Sequence, residues 1–91
     1  MKKLTPIQKF KEGVTIQGFY LCIEKHIRHT RNGELFIDLI LIDKTGKVDG
    51  KIWGEIELLR EKFDSGDVVV IKANVGSFQD KLQLDIKKIG K

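Results

Sequence analysis

Apolar and polar residues alternate with a period of two along most of this chain, the signature of strands with one buried face. The densest stretch is Phe36-Ile37-Asp38-Leu39-Ile40-Leu41-Ile42, rich in the aliphatic and β-branched residues that suit a pleated, largely buried surface. Asp43-Lys44-Thr45-Gly46 follows as a turn, in which Asp acts through its side chain and Gly is expected to take a positive φ. Lys47 to Trp53 then alternates cleanly, with Val48, Gly50 and Ile52 on one side and Lys47, Asp49, Lys51 and Trp53 on the other. Pairing Asp43 with Gly46 sets Phe36 opposite Trp53, unless a one-residue bulge shifts the match.

The same pattern places the other elements. Val14 to His29 is too long for one flat strand, and Gly18 is the expected bend or bulge. Thr30-Arg31-Asn32-Gly33 is a reversal. Gly54 to Asp67 is the one helical window, with Ile56, Leu59 and Phe63 on one side and Glu57, Arg60, Glu61 and Lys62 on the other. Val68 to Val75 is a fourth strand. Gly76 to Asp80 is a loop, and Lys81 to Lys88 is a fifth strand, with Leu82, Leu84 and Ile86 inward. Phe19 and Phe63 are assigned to the core. Residues 1–12 form a flexible lead-in, in which Ile7 and Phe10 can pin a short turn or helix onto the sheet.

Five strands with one short helix between the third and fourth match an all-β, five-stranded Greek-key barrel, the OB-fold, over residues 13–91. In that architecture the face of strands two and three binds oligonucleotides, and loops after strand one and between strands four and five wall the groove. Those loops here hold Arg31 and Phe78. The aromatics Phe36, Trp53 and Phe78 therefore fall where such a fold puts its ligand.

Composition narrows the function. At 41% hydrophobic and 33% charged residues, the chain is globular rather than disordered. No apolar run approaches the ~20 residues of a membrane span, and no apolar segment follows Met1-Lys2-Lys3, so neither a membrane partner nor a signal peptide is expected. Seventeen basic against thirteen acidic residues give a net charge of +4, a mild bias toward a polyanionic partner. Cys22 is the single cysteine, which excludes an internal disulfide and fits a reducing cytoplasm.

Aromatics beside lysines on one sheet face suit base stacking combined with phosphate contacts. Trp53, Phe36 and Phe78 are the stacking candidates. Lys25, Arg28, Arg31, Lys51 and Lys81 are the phosphate candidates, and Asp38 is an acceptor for base edges. Catalysis finds no support. His26 and His29 point to opposite faces of a strand, and no carboxylate or cysteine spacing completes a metal site. No phosphate loop, serine elbow or HExxH helix is present. The expectation is a binding domain without a cofactor, metal or catalytic residue of its own.

Three segments carry a family resemblance: Asn32-Gly33-Glu34-Leu35-Phe36, then Leu39-Ile40-Leu41-Ile42-Asp43-Lys44-Thr45-Gly46, then Val48-Asp49-Gly50-Lys51-Ile52-Trp53. Together they resemble the nucleic-acid-binding OB domains of the anticodon-binding superfamily. The likeness is greatest to the N-terminal OB domain of bacterial HD-domain 3′–5′ exoribonucleases and related HD phosphohydrolases. Glu24-Lys25 and the segment Phe78-Gln79-Asp80-Lys81-Leu82-Gln83-Leu84 extend it, so that it spans Gly13 to Ile89. Glu34 and Leu35 depart from the basic residue and proline usual there, and Asp80 replaces a loop glycine. The chain is then either such an N-terminal domain or a free-standing OB protein; in the first case the resemblance implies that it feeds single-stranded RNA or DNA to a catalytic HD domain in cis. The rival expectation is a protein-interaction or oligomerisation module, motivated by the outward apolar residues Ile40 and Ile42.

Overall fold

A computed structural model describes residues 6–91. After a 3₁₀ turn, Ile7–Lys9, come β1 (Thr15–His29), β2 (Leu35–Asp43), β3 (Gly46–Trp53), α1 (Ile56–Leu59), β4 (Val68–Phe78) and β5 (Lys81–Gly90). The strands close into a barrel in the order β1-β2-β3-β5-β4. Only the β3–β5 seam is parallel. This is the five-stranded barrel with one short helix between the third and fourth strands that the sequence predicts.

The interior follows from alternation. Ile37, Leu39 and Leu41 of β2, Val48 and Ile52 of β3, Val69, Ile71, Ala73 and Val75 of β4, and Leu84 and Ile86 of β5 are all buried. Each large aliphatic among them contributes roughly 1.5–3 kcal/mol by leaving water. Ile7 and Phe10 close one end, Phe10 meeting Tyr20 edge to face at 5.9 Å. Burial, and secondarily the charge of Asp43, pushes the Tyr20 hydroxyl up to about 12. The remainder of the proposed lead-in, residues 1–5, lies outside the described residues.

The bend in β1 differs from expectation. Gly18 pairs regularly with Ile71. It faces the interior, where a Cβ would stand 2.7 Å from the Tyr20 hydroxyl, so its role is to leave room for that ring. The bulge lies at Ile23, where the register with β2 slips between Cys22 and Glu24. There β1 parts from β4 while staying paired with β2: the Cys22 N–H donates to the Asp67 carbonyl and the Gly66 N–H donates to the Cys22 carbonyl. Before the bulge the even residues Ile16, Gly18, Tyr20 and Cys22 point inward, and Phe19, expected in the core, is 57% exposed. After it the odd residues Lys25 and Ile27 turn inward, and Glu24, His26 and Arg28 face solvent.

The helical window yields one turn. Ile56 and Phe63 are buried and Leu59 packs against the core, as the periodicity predicts. The Lys25 ammonium binds the carbonyls of Arg60 and Phe63, pairs with Asp64 at 3.3 Å and lies 4.8 Å from the Phe63 ring centroid. A lysine at the end of a helical turn satisfies carbonyls that a longer helix would bond internally.

Two turns complete the frame. The β2–β3 reversal is closed by a side chain and not by glycine conformation, since Gly46 does not take a positive φ. Asp43 Oδ1 accepts from the Thr45 N–H at 2.7 Å, the Thr45 hydroxyl at 2.6 Å and the Gly46 N–H at 3.1 Å. Its Oδ2 accepts from the Ile7 N–H at 2.9 Å, tying the 3₁₀ turn to the hairpin. Burial opposes the charged form of Asp43, but these bonds outweigh it and hold the carboxyl below its ordinary range. The expected loop at Gly76–Asp80 is shorter than predicted: β4 runs on to Phe78, and Gln79 and Asp80, with φ of 52° and 66°, make a two-residue hairpin turn.

Candidate functional site

The outer face of β1, β2 and β3, continued onto β5, is a lattice of three rows fixed by the strand registers. One row runs Arg28, Phe36, Trp53. The next runs His26, Asp38, Lys51, Asp85, and the third Glu24, Ile40, Asp49, Gln83. The Ile23 bulge places Glu24, His26 and Arg28 in these rows. Without the extra residue, the side-chain period of two would aim all three into the barrel.

The first row holds the aromatics. Phe36 and Trp53 sit directly opposite, as pairing Asp43 with Gly46 requires. Their rings stack with centroids 4.7 Å apart and planes inclined by 28°. Trp53 is 44% exposed, so part of its ring stays open to solvent. The Lys51 ammonium lies 5.5 Å from the Phe36 ring centroid, a cation over the edge of the stack.

The second row holds the charges. Asp38 accepts from Arg28 Nε at 2.9 Å through Oδ2, and from Lys51 Nζ at 3.3 Å through Oδ1. One half-buried carboxylate thus fixes two cations beside the aromatic stack. His26 Nε2 lies 3.3 Å from Glu24 Oε1 in the neighbouring row. The face is electrically mixed: Arg28, Lys47 and Lys51 are interleaved with Glu24, Asp38, Asp49 and Asp85.

The hairpin tip walls one side. Phe78, 60% exposed, pairs with Lys81 at the last step of the β4–β5 ladder. A hollow of about 270 Å³ runs from Phe78, Gln79 and Lys81 to Asp49 and Lys51. A second, of about 160 Å³, joins Asp49 and Lys51 to Asp38, Arg28 and His26. The two share Asp49 and Lys51 and form one groove across the face. Arg31 is exposed in the turn beyond the last β1–β2 pair, His29 with Leu35.

Of the residues singled out in the sequence, Arg28, Phe36, Asp38, Lys51 and Trp53 come together on the lattice, Phe78 and Lys81 on its wall, and Arg31 at its end. Lys25 does not join them: its side chain is 10% exposed and bound under α1. Sequence reasoning missed Glu24 and His26, which only the bulge brings to the face, and Asp85, which only the parallel β3–β5 seam sets beside Lys51. Ile40 and Ile42 face outward as expected but are half-buried.

Among the described residues no group of three or more His, Cys, Asp or Glu side chains is placed to hold a metal ion, and no helix is long and apolar enough to cross a membrane. Cys22 is buried, and burial pushes its thiol up, away from the reactive thiolate.

A family model, tRNA_anti-codon, described as an OB-fold nucleic acid binding domain, matches residues 14–91. The 3′-5′ exoribonuclease YhaM of Halalkalibacterium halodurans is 29% identical over 80 residues, covering 88% of this chain and 25% of the relative. The chain thus spans about a quarter of the length of the curated relatives it matches. The second OB-fold domain of replication protein A from Methanococcus maripaludis superposes with a TM-score of 0.73 at 19% identity, over 97% of this chain and 93% of that one. The SSB domain of a Synechococcus sp. protein gives 0.75 at 10% identity, over 90% and 99%. At such identities these two establish the fold.

Proposed function

The chain belongs to the tRNA_anti-codon family of OB-fold nucleic acid binding domains, and from that premise we propose that it binds single-stranded RNA or DNA across the β2–β3 face. Bases stack on Trp53, Phe36 and Phe78. Phosphates meet Arg28, Arg31, Lys51 and Lys81. Asp38 orients Arg28 and Lys51, and its remaining lone pairs accept from base amines. The observation that carries this reading is the Phe36–Trp53 stack, half open to solvent on an outer sheet face with Lys51 over its edge. An exposed aromatic pair beside cations matches the sequence-tolerant stacking by which such barrels hold single strands.

In this reading the domain contributes binding. In a protein of the length of its exoribonuclease relatives, it presents a cytoplasmic single strand to a catalytic HD domain in cis.

The test is fluorescence anisotropy of labelled single-stranded oligonucleotides at low and physiological salt. Four phosphate contacts give a log–log salt slope of about −3, from roughly −0.7 per contact. Micromolar or tighter binding that weakens along such a slope supports the reading. No binding at low salt refutes it.

A further inference from the structure

The wall formed by β1, β4 and β5, on the far side of β5 from the aromatic stack, carries cations of a different kind. The β4–β5 register slips between Lys72 and Ala73: Ala73 pairs with Ile86 and Lys72 with Lys88, leaving Lys87 as the extra residue. The strict alternation expected through Lys88 therefore breaks. Leu84 and Ile86 point inward, Ile89 packs on the core after the bulge, and Lys87 and Lys88 both stand outside.

Lys72 and Lys88 face each other directly across two antiparallel strands, an arrangement in which like charges destabilise a sheet. Among the described residues neither has an ion-pair partner, whereas Lys87 is paired with Asp85 at 2.8 Å. The hollow around Lys72 and Lys88 is lined by Gln17, Val70 and Gly90 and contains no carboxylate. Phe19 stands on the same wall, two residues along β1 from Gln17 and paired with Val70, and is 57% exposed. Uncompensated cations beside an exposed aromatic suit a phosphodiester strand, whose phosphates meet the charges while a base stacks on the ring.

The wall is continuous with the aromatic stack. In the parallel seam Lys51 pairs with Asp85 and Ile52 with Ile86, where the ladder ends, and Trp53 and Lys87 are the next residues of the two strands. From β3 across β5 to β4 is two strand spacings, about 10 Å. We propose that the single strand bound at Phe36 and Trp53 continues past Lys87 onto this wall, its phosphates held by Lys72 and Lys88 and a base stacked on Phe19. The inference rests on the front-face reading above and extends its path.

Two oligonucleotide lengths test it, about 4 and about 12 nucleotides, within the site sizes such barrels cover. They are titrated against the wild type, a Lys72→Ala/Lys88→Ala double variant, Phe19→Ala and Trp53→Ala. The double variant should lose about tenfold on the longer oligonucleotide, with a salt slope shallower by about 1.4, and nothing on the shorter. Phe19→Ala should likewise lose several-fold on the longer one alone. Removing the opposed charges should leave the melting temperature equal or higher, so the loss is not one of folding. Unchanged affinity for the longer oligonucleotide overturns the proposal and leaves the lysines to an acidic protein partner. Equal losses on both lengths overturn it as well. Failure of the front-face reading is a separate result, seen when Trp53→Ala leaves the shorter oligonucleotide unaffected.

Discussion

Replacing Trp53 with alanine takes away half of the stack, and its cost divides into two measurable parts. The first is stability. The ring stacks on Phe36 at 4.7 Å and is 44% exposed, so roughly half of it packs against the sheet. The pair contributes about 0.5–1.5 kcal/mol beyond its buried area. At about 4–8 °C per kcal/mol for a domain of this size, the melting temperature should fall by several degrees while the transition stays cooperative. The second part is binding. A base stacked on an aromatic contributes ~1–3 kcal/mol, a factor of about five to 150. Phe36 also loses its neighbour, so the loss should exceed about tenfold, and Trp53→Phe should recover most of it. Trp53 is the only tryptophan, so quenching of intrinsic fluorescence reports stacking directly in the wild type. Anisotropy serves for the variants. No cation is removed, so the salt slope should not change. Unchanged affinity in a folded Trp53→Ala protein refutes the stacking platform. A loss accompanied by a shallower slope refutes it differently, assigning the effect to disturbance of Arg28, Asp38 and Lys51.

Other substitutions probe the frame. Asp43→Ala removes the acceptor for Ile7, Thr45 and Gly46 and should cost about 2–3 kcal/mol in denaturant unfolding. Because folding lowers the Asp43 pKa, its contribution is complete above the unfolded value of about 3.9 and fades as pH falls through the folded one. Wild-type melting temperatures should therefore drop below about pH 4, and Asp43→Asn should flatten part of that drop. Lys25→Met leaves the carbonyls of Arg60 and Phe63 without their donor and should cost about 1–3 kcal/mol of stability, with oligonucleotide affinity unchanged. A loss of affinity at unchanged stability would return Lys25 to the interface. Gly18→Ala pushes into the ring of buried Tyr20 and should cost about 1–3 kcal/mol. Gly50→Ala crowds the Cδ1 end of Ile86, 2.9 Å away, with the Leu84 Cβ at an ordinary 3.6 Å, and should cost less, an order that thermal melts of the two variants decide.

The central hairpin was legible because its turn fixes its register. Once Asp43 pairs with Gly46, counting by twos brings Phe36 opposite Trp53. The barrel was legible for the same reason, since period-two alternation names the strands and one helical window interrupts them. Single-residue slips were not. The bulge at Ile23 sits in the unbroken apolar run Leu21-Cys22-Ile23, where hydropathy cannot say which residue is extra, and every side chain after it depends on that choice. The slip at Lys87 hides between two lysines, either of which is acceptable outside. Phe19 read as core because it is aromatic, although its own strand parity turns it out. Lys25 read as surface because it is charged, although three acceptors under α1 hold it. The carboxylates Glu24 and Asp85 reached the candidate face through a bulge and a long-range parallel seam, neither of which leaves a local mark.

The last strand of the barrel is also its keystone in time. β5 supplies the partner for β4 on one side and for β3 on the other, so before residue 90 is synthesised both strands carry open edges. Open edges are templates for pairing with other chains, and contacts so distant in sequence form late. A nascent chain can build the β1–β2–β3 meander as it emerges, and with it the Phe36–Trp53 pair. Closure must wait for β5 itself. The ribosome-bound intermediate is then a curled sheet that already carries its aromatic stack but not yet its lysine-bearing wall, and the interval before closure is when the chain is most exposed to aggregation and proteolysis.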